Sequence, residues 1–190
     1  MMEIITVNYN TPDLMIRLLK SYFKYGYQMY PIHVLDGSDD LGSASMLEQF
    51  CRENKVKYTG FGYNIHHGPG LHYGIMSSAE EQLFLMDSDA EFIMSGLFDE
   101  LVLGDEFGCG NICLVDKNGF RGGKIKYLHP NCCLISKMKY LESSPFEKRG
   151  APFMTTMKNM KFQLRDSWAI VKKYVNTGSR GTVSRYGYNL

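Results

Sequence analysis

Asp87-Ser88-Asp89 places two carboxylates one residue apart, directly after the run Gln82-Leu83-Phe84-Leu85-Met86. That run reads as a buried strand. Side chains alternate faces along a strand, so Asp87 and Asp89 are expected to emerge on one side. Neighbouring carboxylates repel, and partial burial raises the cost unless a cation or hydrogen-bond donors compensate. A hard divalent ion, Mn2+ or Mg2+, relieves the repulsion and also binds phosphate oxygens. Asp87 and Asp89 are therefore candidate metal ligands; the plain alternative is an acidic loop after a strand.

The elements that must position these residues follow a regular order. Ile4–Tyr9 is β-branched and apolar, a first strand. Thr11-Pro12-Asp13 supplies an N-cap hydroxyl, a proline at the first helical position and an acid in the first turn. Leu14, Leu18, Leu19 and Tyr22 follow at helical spacing, predicting a helix over 12–25. A second strand spans 32–35 and stops at Asp36-Gly37-Ser38. A helix over 43–54, a strand over 56–61, a helix over 70–81 and the strand carrying Asp87 complete the first half. This alternation predicts an α/β fold with a mostly parallel central sheet flanked by helices. Ligands bind such sheets at the carboxyl ends of the strands. Tyr9-Asn10, Asp36-Gly37 and Asp87-Ser88-Asp89 are all expected there.

The second half is less regular. Ser95–Leu103 reads as a helix, and Asn111–Val115 and Asn131–Ile135 as strands. Residues 153–165 read as a helix with Met157, Met160 and Leu164 inward. Asn176–Tyr188 has no clear period and reads as a mobile tail or a loop ordered by ligand. At 190 residues the chain suits one well-buried domain. Its five cysteines, an odd count with Cys132 and Cys133 adjacent, fit no disulfide framework or zinc spacing. Reduced thiols and the lack of a signal pattern imply an intracellular, cytoplasmic protein. No apolar stretch approaches the ~20 residues of a membrane span. The net charge of +1 hides an asymmetry: residues 137–190 carry 11 Lys and Arg against 3 Asp and Glu. A basic final third attracts anions, whether nucleic acid, a phospholipid surface or nucleotide phosphates; a solvated lysine-rich face is the alternative.

Val7-Asn8-Tyr9-Asn10 before a helix, Val34-Leu35-Asp36-Gly37-Ser38, Asn64 through Gly74, and Leu85-Met86-Asp87-Ser88-Asp89 occur in an order that resembles family-two glycosyltransferases of the GT-A fold. The resemblance spans residues 4–93. It implies one catalytic domain over 1–190, with a nucleotide-sugar half at 1–93 and a smaller, irregular acceptor half at 94–190. It also implies that Asn8 and Tyr9 hold the nucleotide base and Asp36 bonds its imide or ribose. Asp87 would touch the ribose or a metal-bound water, and Asp89 would ligate the Mn2+ or Mg2+ that bridges the diphosphate. The implied donor is a nucleoside-diphosphate sugar, with UDP the expected nucleotide.

The sequence departs from the family pattern in three places. Where relatives often carry Arg-Asn, His72-Tyr73 precedes Gly74-Ile75. His66, His67 and His72 are candidates to restore positive charge beside the phosphates, with Gly68 and Gly70 admitting the backbone. The usual acidic pair of the acceptor half is missing from residues 150–154, which leaves Glu147 as candidate catalytic base and His129 and Asp166 as alternatives. Asn176-Thr177 replaces a histidine that ligates metal in some small members, while Arg180 is a candidate diphosphate clamp. The acceptor is a saccharide, a lipid-linked group, a protein or DNA. Hydroxymethylated pyrimidines of viral duplex DNA are a specific candidate, motivated by the basic final third. Rival readings are a Rossmann-type nucleotide-binding protein, from Gly68-Pro69-Gly70 and Gly74, and an inactive GT-A binding module.

Overall fold

The computed structural model describes residues 2–118, 122–146 and 163–177. Strand β1 (Met2–Asn8) leads into helix α1 (Pro12–Lys24), β2 (Ile32–Asp36) into α2 (Leu41–Glu53), and β3 (Lys57–Gly60) into α3 (His67–Ser77). Then come β4 (Gln82–Asp87), a short β5 (Glu91–Phe92), α4 (Leu97–Glu100), β6 (Gly108–Val115) and β7 (Ile125–Ser136). Helix α5 (Lys137–Leu141), β8 (Leu164–Asp166), α6 (Trp168–Tyr174) and β9 (Val175–Asn176) follow.

Seven strands form one sheet in the order β3-β2-β1-β4-β7-β6-β8. The first four are parallel, and β7 alone runs against its neighbours. The register sets Asn8 beside Asp36 and Val7 beside Asp87. The expected α/β architecture with a mostly parallel sheet is the one found.

Both faces of the central strands are buried, so β1, β2 and β4 are apolar almost throughout. One face packs Ile4, Val34, Phe84 and Met86 with Leu18, Leu19 and Leu47 of α1 and α2. The other packs Ile5, Leu35 and Leu85 with Leu71 and Ile75 of α3. Helix α3 approaches closely because Gly70 and Gly74 face the sheet. A Cβ on Gly74 would stand 2.6 Å from Ile5 Cγ2 and 2.8 Å from Leu35 Cδ1.

Several expected boundaries shift for identifiable reasons. Helix α3 starts at His67, three residues early, because Pro69 is tolerated in a first turn. The helix expected over 95–103 shrinks to Leu97–Glu100, since Gly96 at φ 92 breaks any helix entering from Ser95. At the end of the stretch 153–165, Leu164 belongs to β8, where pairing with Gly108 overrides its helical spacing. Residues 153–162 of that stretch, and Asn176–Tyr188 beyond residue 177, lie outside the described residues.

Candidate active site

The ends of β1 and β2 are joined by a hydrogen-bonded network around one buried carboxylate. Asp36 is 1% exposed. Its Oδ1 accepts from Asn8 Nδ2 at 3.0 Å, from the Ser38 N–H at 3.0 Å and from Ser38 Oγ at 2.6 Å. Its Oδ2 accepts from the Tyr58 hydroxyl at 2.8 Å. Asn8 Oδ1 in turn accepts from Thr11 Oγ1 at 2.8 Å. Thr11, expected to cap α1 through its hydroxyl, makes no such cap; the hydroxyl serves Asn8 instead. Outside this layer, Asp39 accepts from Tyr9 Oη at 3.0 Å and from Asn10 Nδ2 at 2.7 Å. Those bonds, Asn10 first, hold the Asp39 carboxyl below its ordinary range.

The third strand end carries the acidic pair. Strand β4 stops at Asp87, and the Ala90 N–H bonds back to the Asp87 carbonyl at 3.2 Å. Asp89 therefore sits on a turn and not on the strand, and the turn brings it into the cleft that Asp87 lines. His67 Nε2 lies 3.2 Å from Asp87 Oδ1. Burial pushes the Asp87 carboxyl up, but the hydrogen bond from His67 and the charges of His67 and His129 outweigh it, and the net shift is downward. Asp87 is accordingly a carboxylate.

The strand ends and the N-terminal turn of α3 enclose a cleft of about 600 Å3, lined among others by Asn8, Tyr9, His66, His67, Asp87 and Asp89. His66 closes it at φ 65, ψ 158, a backbone region costing about 1–3 kcal/mol for a residue with a side chain. The Asn64 side chain holds this conformation by accepting from the His66 N–H at 2.9 Å. Among the described residues no group of three His, Cys, Asp or Glu side chains gathers as a metal cage. Two carboxylates fit Mg2+ or Mn2+ nonetheless, because such ions bind through one or two carboxylates and complete their shell with waters and phosphates. The donor set suits a hard ion carrying a phosphate ligand and does not suit a structural zinc.

The other candidates fall in different places. Asp36 stands behind the cleft wall with four hydrogen bonds already made, not on its surface. Gly70 lies inside α3, where a Cβ would be 2.9 Å from Val7 Cγ2; it is a close-packing residue, not part of a loop open to phosphate. His72 turns away, its Nδ1 at 2.7 Å from the Tyr140 hydroxyl. His129, on β7, acts electrostatically on Asp87. Its Nδ1 accepts from the Asn131 N–H at 3.2 Å. Asp166 ends β8 at the far edge of the sheet and accepts from the Trp168 N–H. Glu147 and Arg180 lie outside the described residues. Sequence reasoning missed Tyr58 and Asp39, whose partners are distant in the chain; a polar side chain near a strand end was the available signal.

The sheet order, with β7 returning antiparallel beside the strand that carries Asp87, defines a GT-A glycosyltransferase fold. Residues 3–141 match Glycosyl transferase family 2, and the chain belongs to that family. Similar solved structures include the mannosyltransferase PcManGT from Pyrobaculum calidifontis in complex with GDP-Man and Mn2+. It shares 14% identity at a TM-score of 0.69, covering 89% of this chain and 55% of that one. Residues 1–349 of S. aureus TarS in complex with UDP-GlcNAc share 15% identity at a TM-score of 0.65, covering 98% of this chain and 61% of that one. The chain thus spans less than two thirds of the length of these structures. A comparison with curated protein sequences gives no significant match.

Proposed function

We propose that the chain is a metal-dependent glycosyltransferase that moves a sugar from a nucleoside-diphosphate donor, UDP-linked in the first instance, to an acceptor hydroxyl. The observation that carries this reading is that Asp87, Asp89, His67 and the Asn8–Tyr9 strand end share one cleft of about 600 Å3. Membership of Glycosyl transferase family 2 supports the reaction class, and the GDP-Man, Mn2+ and UDP-GlcNAc bound by similar structures support the donor class. Residues 1–93 hold the donor and residues 94–190 form the acceptor side of one catalytic domain.

Each side chain then has a task. The Asn8–Tyr9 segment holds the base, fixed from behind by Asp36. Asp87 and Asp89 hold a divalent ion, which when bound stabilises negative charge on the departing diphosphate. His67 orients Asp87 by its hydrogen bond and lends positive character beside the phosphates. Glu147 takes the acceptor proton, and Arg180 clamps the diphosphate with its forked donors. The acceptor is a saccharide, lipid-linked, protein or DNA hydroxyl; the 11-to-3 excess of basic residues over 137–190 supports an anionic one, duplex DNA included.

The test is release of nucleoside diphosphate from a panel of UDP- and GDP-sugars, with Mn2+ or with chelator. Release that requires Mn2+ and disappears in Asp89→Ala, at unchanged melting temperature, is expected. Release indifferent to Asp89→Ala, or no release from any donor, would contradict the reading.

A further inference from the structure

The network behind the cleft has one member that no assignment of the reaction uses. Tyr58 belongs to β3, two strands from β1, and does not line the cleft. Its hydroxyl nevertheless makes the only described hydrogen bond to Asp36 Oδ2, at 2.8 Å, while the other three donors share Oδ1. The connections run onward to the cleft surface. Ser38 Oγ, bonded to Asp36, accepts from the Asn10 N–H at 2.9 Å and from Asn8 Nδ2 at 3.3 Å. Asn10 and Tyr9 then converge on Asp39.

Gly60 leaves the ring room to lie close against the backbone on its way to Asp36. A Cβ there would stand 3.1 Å from Tyr58 Cε1, 3.1 Å from its hydroxyl oxygen and 3.4 Å from Cζ. The ring lies over the bare Cα, and the hydroxyl extends past it to the carboxylate. Burial, and after it the bond to Asp36, push the Tyr58 hydroxyl above its ordinary range, so the group remains a donor. A buried carboxylate oxygen that loses its donor is costly, and the carboxylate then reorients to seek another partner. Its three Oδ1 bonds reorient with it.

We infer that Tyr58, seated on Gly60, is a positioning residue for the nucleoside end of the cleft: it holds Asp36 so that Asn8, Ser38 and Asn10 keep the β1 strand end in its binding geometry. This rests on the donor-site reading above. The diphosphate end, built on β4 and α3, draws nothing from Tyr58. The two ends of one ligand should therefore respond differently to its loss.

The experiment measures affinities of UDP, GDP and inorganic pyrophosphate in Mn2+ by calorimetry for wild type, Tyr58→Phe and Gly60→Ala, with melting temperatures alongside. Tyr58→Phe keeps the ring and removes only the hydroxyl, whereas Gly60→Ala keeps the hydroxyl and displaces the ring. Both variants should bind the preferred nucleoside diphosphate about tenfold or more weakly, the scale of a lost hydrogen bond to a charged group. Pyrophosphate affinity should stay at the wild-type value. Wild-type affinity for nucleotide in both variants overturns the inference, as does an equal loss for nucleotide and pyrophosphate. If wild type binds pyrophosphate and Mn2+ but no nucleoside diphosphate, the donor-site reading falls and the role of Tyr58 with it.

Discussion

Asp87 carries two demands that pull in opposite directions. As a half-buried group it resists ionisation; in the proposed role of metal ligand it must be ionised. His67, 3.2 Å away, eases the conflict by favouring the ionised form of Asp87. His67→Ala should therefore weaken Mn2+-dependent nucleotide binding by roughly 10–100-fold, the range for outer-shell partners of metal ligands, and titration calorimetry checks it. His66 makes a separate prediction. Its backbone, at φ 65 and ψ 158, suits glycine, so His66→Gly should raise stability by about 1 kcal/mol while loosening the cleft wall. Urea melts with paired nucleotide titrations would reveal both effects. A loss of stability in His66→Gly would mean that the side chain contributes more than its backbone costs.

Among the elements, α3 and the β1–β3 edge set the cleft's shape through contacts that look unremarkable in the chain. Gly74→Ala gains helix propensity of about 1 kcal/mol, but its Cβ would enter at 2.6 Å from Ile5 and 2.8 Å from Leu35. Overpacking of that kind costs about 1–3 kcal/mol, so the net change should be destabilising, as thermal unfolding can test. On the same face of the sheet, His33 is 1% exposed, with Nε2 bonded to Thr59 Oγ1 at 2.9 Å. Burial, then the Lys57 charge, lower its pKa to about 4, against the opposing pull of Glu3. The unfolded chain takes up this proton near pH 6.5 and the folded one only near pH 4, so stability falls as the pH drops through that window. The shift corresponds to about 3 kcal/mol, and His33→Gln should flatten that part of the stability–pH curve.

The strand–helix alternation and the convergence of three polar strand ends were legible in the sequence, because β-branched runs, turn residues and helical spacing are local signals. Contacts made across the fold were not. The Tyr58–Asp36 and His67–Asp87 pairs join residues 22 and 20 positions apart, and nothing in either segment's periodicity points to the other. The turn that carries Asp89 was hidden for a related reason: a strand reading extends alternation as far as the carboxylates, whereas the Ala90 bond to Asp87 ends the strand between them. Helical spacing at Leu164 likewise lost to a sheet edge, whose pairing partner lies over fifty residues away.

At the scale of the whole molecule, charge is divided along the chain: the final third is basic and the cleft carries carboxylates. If the acceptor is duplex DNA, binding should weaken steeply between about 50 and 200 mM salt, as fluorescence anisotropy with plain duplex can read. Absence of binding at low salt would turn the search to saccharide, lipid-linked and protein hydroxyls.

In the proposed site one cation is shared by Asp87, Asp89 and a diphosphate. Electron paramagnetic resonance of free Mn2+ measures it directly, in wild type and Asp89→Asn, with and without UDP or GDP. Wild type should remove Mn2+ from solution far more strongly when nucleotide is present, and Asp89→Asn should not. Identical Mn2+ uptake by the two proteins, or uptake unaffected by nucleotide, would contradict it.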